Sequence, residues 1–203
     1  MGCIFGNELI EATIRFHGHM CPGLAIGIRA AEVAFREVGR DGDEEIVAVV
    51  ETDMCGVDAV QYLTGCTFGK GNLIHLDYGK NAFSFYRRSD GKSLRVVAKP
   101  SILGAEVKTL AELHRKMSAG ALAEEEKGRW QAIRQKITAD VMHKEIEELF
   151  EVKPVQGDPP ARARILSSLT CDGCGEAVME TRLRAHRDRR LCAPCFNSLQ
   201  RGA

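Results

Sequence analysis

Two Cys-x-x-Cys pairs near the C-terminus, Cys171/Cys174 and Cys192/Cys195, restrict the fold of this 203-residue chain more tightly than any other feature. Two thiolates three residues apart, followed by Gly175, can grip one ion from a tight loop. The second pair supplies the remaining two corners of a tetrahedron. Thiolate sulfur selects zinc among the common divalent ions, and four of them leave no position for a reactive water, so a structural Zn2+ is expected. The alternative is a thiol-redox or disulfide pair, which the doubled spacing disfavours. So short a segment buries little apolar surface, and the ion itself must hold it together. A hairpin between the pairs, with one arm at Val178–Arg184 and the return at Arg189–Cys192, followed by a helix opened by Pro194, is similar to a treble clef.

The remainder reads as a larger α+β body. Hydrophobic residues make up 44% of the chain and charged residues 28%, enough for a buried core. Asn7 is placed to cap a segment over Glu8–Phe16. Pro22 suits a first helical turn, and Leu24, Ile28, Ala31, Phe35 and Val38 recur at helical spacing up to Gly39. Ile46–Val50 reads as a buried strand, Val57–Leu63 as a short helix and Leu73–Asp77 as another strand. Ala82–Arg88 and Leu94–Ala98 flank Asp90-Gly91 with a two-residue period, which predicts a hairpin. Helical periodicity then returns from Leu103 to Phe150. Pro154, Gly157, Pro159 and Pro160 mark a boundary. The expected division is a core over 1–151, a proline-containing linker over 152–166 and a four-cysteine zinc finger over 167–203.

Formal net charge is zero, yet residues 152–203 carry nine Lys/Arg against five Asp/Glu. The basic loop Arg182, Arg184, His186, Arg187, Arg189 and Arg190 could meet nucleic acid or a protein partner, or it could be a solvated face, or one that neutralises the acidic body and the thiolate-rich ion. No apolar run is long enough for a membrane span, and Met1–Phe16 carries Glu8, Glu11 and Arg15, unlike a secretory signal, so no membrane is expected and the cytoplasm is the expected location.

The chemistry of the body gathers at Phe16-His17-Gly18-His19-Met20-Cys21-Pro22-Gly23. Two imidazoles and a thiol within five residues, at the entrance to a helix, suit an activated nucleophile or a metal ligand set. Cys55, at a strand-to-helix junction, can complete such a site, and Asp53 can orient a histidine. The sharpest version is an open zinc with three protein ligands. The alternative is a buried core thiol with hydrogen-bonded histidines. The glycine-rich loop Gly65–Asn72 has the wrong spacing for a phosphate loop, although Lys70 and neighbouring amides could hold an anion.

The stretches FHGHMCPGLAIGIRAA at 16–31, CGVDAVQYLTGCTFGKGNL at 55–73 and DYGKNAFSF at 77–85 resemble the E-subunit family of formylmethanofuran dehydrogenase. The resemblance implies an α+β core, an intertwined homodimer and, in some members, an added treble-clef zinc finger. It places a candidate catalytic or second-metal cleft on His17, His19, Cys21 and Cys55, with Cys66 and Lys70 as ligand-binding candidates on a neighbouring loop. The function it implies is a metal-binding protein whose core takes a small ligand or a second metal ion, accessory to one-carbon or molybdenum-enzyme metabolism. The alternative is a regulatory module whose finger binds nucleic acid or protein while the core senses metal. Nothing in the chain matches pterin-binding or iron–sulfur subunits.

Overall fold

The computed structural model describes residues 2–40, 43–155 and 157–201. The chain divides into two units, Met1–Arg162 and Ala163–Ala203. No helix among the described residues is long and apolar enough to cross a membrane.

The larger unit begins with α1 (Asn7–His17) and α2 (Pro22–Val38), followed by β1 (Ile46–Val50), α3 (Gly56–Thr64) and β2 (Leu73–His75). A hairpin, β3 (Ala82–Arg87) and β4 (Ser93–Ala98), leads to α4 (Val107–Ser118), α5 (Glu124–His143), the single turn α6 (Ile146–Leu149) and β5 (Phe150–Pro154). The five strands form one sheet in the order β2-β1-β3-β4-β5, with β1 parallel to β2 and the other neighbours antiparallel. All five residues of β1 are buried, as a continuous apolar run in a central strand requires. Phe83, Phe85, Leu94 and Val96 alternate along the hairpin and join Ala25, Ala30, Val33 and Ala34 of α2 in the main core.

The sequence pattern anticipates these elements, with three differences. Asn7 is the first helical residue of α1; Gly6 is the N-cap and no side chain caps that end. The helical region 103–150 is divided into α4, α5 and the single turn α6. Gly120 interrupts it, and Phe150 leaves the helix to pair with Ala98, because its ring then lies in the core at 2% exposure. The strand that Phe150 opens continues through Val152 and Pro154, residues expected in the linker. Their partners are Val96 and Leu94, and the edge position accommodates a proline that has no N–H to donate. Beyond it, Ser93 Oγ donates to the Val155 carbonyl at 3.2 Å and Arg88 Nη1 to the Pro160 carbonyl at 2.6 Å, so this segment is tied to the sheet.

The smaller unit contains two short antiparallel pairs, β6 (Ser168–Thr170) with β7 (Ala177–Met179) and β8 (Arg184–His186) with β9 (Arg189–Leu191), and a terminal helix α7 (Ala193–Arg201). The arm expected over Val178–Arg184 is broken by a 3-10 turn at Glu180–Arg182. Its first half pairs backward with β6, because the Cys171–Gly175 turn closes that hairpin through Cys171 N–H to Glu176 O and Gly175 N–H to Cys171 O, both 2.9 Å. The core of this unit is small: Cys171, Leu191 and Cys192, with Val178, Leu183, Cys195 and Phe196 against them.

Candidate metal centres and the adjoining cavity

In the smaller unit the four sulfurs of Cys171, Cys174, Cys192 and Cys195 lie within 4.8 Å of one another. The β6–β7 turn presents the first pair, and the start of α7 presents the second. Cys171 Sγ accepts from the Cys192 N–H at 3.2 Å and from the Gly173 N–H at 3.4 Å. Backbone donors of this kind, Cys192 foremost, draw the Cys171 thiol down to about 6 and favour the thiolate that a metal needs. Space around the cluster is tight. A Cβ at Gly173 would lie 2.9 Å from Cys195 Sγ.

In the larger unit a second cluster forms where α1 meets α2. Gly18 ends α1 in the left-handed conformation, at φ 98°. That single turn folds His17 back against His19, their ring centroids 4.7 Å apart. Cys21 is the N-cap of α2, and its sulfur accepts the Leu24 N–H at 3.3 Å. The available ligand atoms of His17, His19 and Cys21 all lie within 4.8 Å of one another. His17 is the best prepared of the three. Its Nδ1 is held by Asp58 Oδ2 at 2.7 Å, while its Nε2 is buried and has no hydrogen-bond partner. A carboxylate on one imidazole nitrogen fixes the ring and leaves the other as a donor, the usual arrangement of a metal-binding histidine. Asp58, not Asp53, plays the orienting part. Asp58 lies in the first turn of α3 and reaches α1, whereas Asp53 precedes the helix and is exposed.

The other sequence candidates have separate fates. Cys55 does not join the compact ligand group formed by His17, His19 and Cys21. It sits beside it: a Cβ built on Gly23 would lie 3.7 Å from Cys55 Sγ and 3.9 Å from Cys21 Sγ. Burial, followed by the neighbouring Cys21 thiol, raises the pKa of Cys55. Cys66 is fully buried in the main core and donates to the Ile46 carbonyl at 3.4 Å. Lys70 Nζ donates to the Asp43 carbonyl at 3.0 Å. Neither lines the cavity described next.

A 440 Å³ cavity opens at the carboxyl ends of β1 and β2, the parallel pair, with His17, Cys55 and Asp58 in its wall. The ends of parallel strands are where α/β sheets commonly leave room for ligands. Thr52 and His75 continue the wall from β1 and β2, and Met54 and Phe68, both well exposed, stand in it as apolar surfaces. His17 thus belongs to both the ligand cluster and the cavity. Sequence reasoning missed Asp58, Thr52 and His75. Asp58 had a signal, as an acidic residue in the first turn of a helix following Cys55, but its pairing spans 41 residues.

Two families of known proteins match, each over its own part of the chain. Residues 16–151 match the family described as FmdE, molybdenum formylmethanofuran dehydrogenase operon, and residues 164–201 match the prokaryotic dksA/traR C4-type zinc finger. The C-terminal cysteine cluster is therefore a zinc-binding finger. A probable S-adenosyl-L-methionine-binding protein of Archaeoglobus fulgidus is 36% identical over 199 residues, covering 95% of this chain and 53% of that protein. The chain thus spans about half the length of this relative. Among solved structures, a tungsten formylmethanofuran dehydrogenase FmdE-like protein from Syntrophus aciditrophicus superposes with a TM-score of 0.58 at 25% identity, covering 94% of this chain and 91% of that one.

Proposed function

This chain belongs to the FmdE family, and we propose that its larger unit is a metal-dependent ligand-binding module in which His17, His19 and Cys21 hold one zinc ion at the edge of the cavity. The observation that carries this reading is the His17 ring: Nδ1 fixed by Asp58, Nε2 buried without a partner, and the ring's ligand atoms in the same small volume as those of His19 and Cys21. An unpaired buried nitrogen costs free energy unless something occupies its lone pair, and a cation is the natural occupant.

Two nitrogens and one sulfur suit zinc, and three protein donors leave one coordination position open. When bound, such an ion supplies Lewis acidity at that open position. The chain's own contribution is orientation. Asp58 fixes the His17 tautomer, the Leu24 N–H holds the Cys21 sulfur, and the cavity beside His17 admits a small molecule. In this reading the protein is a cytoplasmic homodimer that serves one-carbon or molybdenum-enzyme metabolism as an accessory, with a treble-clef finger as a structural module.

The zinc content of the purified, reduced protein tests it. Two ions per chain are expected, falling to one in His17→Ala and in Cys21→Ser, with the finger ion retained in both. One ion per chain in the unaltered protein would overturn the reading. Calorimetry with S-adenosyl-L-methionine is a first ligand trial, prompted by the Archaeoglobus relative; binding that survives loss of the core metal would separate the cavity from the ion.

A second reading rests on the finger's arginines. Arg182, Arg184, Arg187, Arg189 and Arg190 are all exposed; Arg184 stacks over Phe196 and meets Asn197, and Arg189 donates to the Asp172 carbonyl. In that reading the finger docks on nucleic acid or an acidic protein and the core senses metal. Charge reversal at Arg187, Arg189 and Arg190 should then remove a salt-sensitive interaction.

A further inference from the structure

Cys55 stands outside the core ligand cluster yet next to one of its members. It lies partly exposed in the cavity wall, at the junction that leads into α3, while Cys21 is buried at the head of α2. Between them stands Gly23. Any Cβ there would contact Cys55 Cβ at 3.2 Å, Cys55 Sγ at 3.7 Å and Cys21 Sγ at 3.9 Å, so the absent side chain is what lets the two sulfurs share one space. The helices that carry them are pinned together one turn further along α2, where Gly27 meets Gly56. The two thiols thus border one space, and the outer one lines the 440 Å³ cavity, where a small disulfide can meet it.

We propose that Cys21 and Cys55 form a thiol–disulfide exchange site whose closure takes the sulfur ligand away from the core metal. Cys55, the accessible thiol, gives up its proton and attacks one sulfur of a low-molecular-weight disulfide. The disulfide's S–S bond breaks, its first half leaves as a thiolate that takes a proton, and Cys55 carries the second half as a mixed disulfide. Cys21 then loses its proton and attacks Cys55 Sγ, a Cys21–Cys55 bond forms, and the second half leaves as a thiol. Two protein thiols are oxidised by two electrons and the small disulfide is reduced to two thiols, so the exchange balances without another reactant. A sulfur committed to the bridge no longer serves as a thiolate ligand, which leaves His17 and His19 alone to hold an ion.

The exchange stands on the Cys21–Cys55 geometry alone; its consequence for the metal rests on the proposed zinc site. The test uses the full chain, zinc-loaded, treated with oxidised glutathione, then alkylated and digested. The expected result is a linked peptide pair containing Cys21 and Cys55, together with loss of one zinc per chain, read by a chromogenic chelator. Cys55→Ala should keep its core zinc under the same oxidant. Separate glutathione adducts or alkylation on both cysteines, with no linked pair, would overturn the proposal. Equal zinc loss from Cys55→Ala would overturn the coupling to metal. Should the core prove metal-free before oxidation, the linked pair still decides whether the exchange occurs, so the two failures are distinguishable.

Discussion

Gly27 of α2 and Gly56 of α3 meet backbone to backbone: a Cβ placed on Gly27 would lie 2.2 Å from the Gly56 carbonyl oxygen and 2.5 Å from its Cα. No side chain fits between the two helices at this crossing. The contact therefore sets how near the start of α3, with Cys55 and Asp58, comes to the start of α2 and the end of α1. Gly27→Ala should cost about 1–3 kcal/mol through overpacking and should release the core metal before the finger metal. Denaturant unfolding and zinc counting on the same preparation check both effects; unchanged stability would mean that the crossing is not tight.

Asp58 acts on the proposed core metal only through His17. Asp58→Ala should weaken metal binding by about 10- to 100-fold, the usual effect of removing the carboxylate behind a ligating histidine. The accompanying loss of stability should be small, on the order of 0.3–1 kcal/mol from the first turn of α3. Competition with a metal indicator, set beside a thermal melt, separates the two. Equal affinity in the variant would remove Asp58 from the account.

Gly173 has the same relation to the finger that Gly27 has to the core. With Cys195 Sγ 2.9 Å and Cys195 Cβ 3.0 Å from the position of a Cβ, Gly173→Ala must displace a ligand. Zinc in the finger should bind roughly ten- to a hundredfold more weakly, the equivalent of about 1–3 kcal/mol of overpacking. The core ion should stay. Chelator titration of the variant, with its two zinc ions released in the opposite order from Gly27→Ala, is the measurement.

Cys3 gives a pH dependence of defined sign. Burial, the dominant cause, pushes its thiol up to about 11. A thiol whose pKa is higher folded than unfolded holds its proton in the native state after the unfolded chain has lost it. Its contribution is complete below about pH 9 and is lost as pH rises towards about 11. Unfolding midpoints measured across that window should fall, and less steeply in Cys3→Ala. An identical slope in the variant would show that other groups carry the alkaline loss.

Features that depend on residues within a turn or two of one another were legible in the bare chain. Cys171-x-x-Cys174 and Cys192-x-x-Cys195 announce a four-sulfur site because each pair shares one loop. His17, His19 and Cys21 cluster because one left-handed glycine folds five residues together. The α2 helix and the β3–β4 hairpin could be read for the same reason: cap, period and turn residues are all local signals. The motifs at 16–31, 55–73 and 77–85 carried the family as well.

Relationships between distant segments emerged only on packing. Folding put Asp58 rather than Asp53 on His17, across 41 residues of chain. It buried Cys66 in the core, tied Lys70 to the Asp43 carbonyl, and turned Phe150 from a helix into an edge strand paired with Ala98. No local pattern encodes these outcomes, because each is settled by which apolar faces must be covered and how closely two helices can cross. The meeting of Gly27 with Gly56, from which the Cys21–Cys55 neighbourhood follows, exists only once α2 and α3 lie against each other.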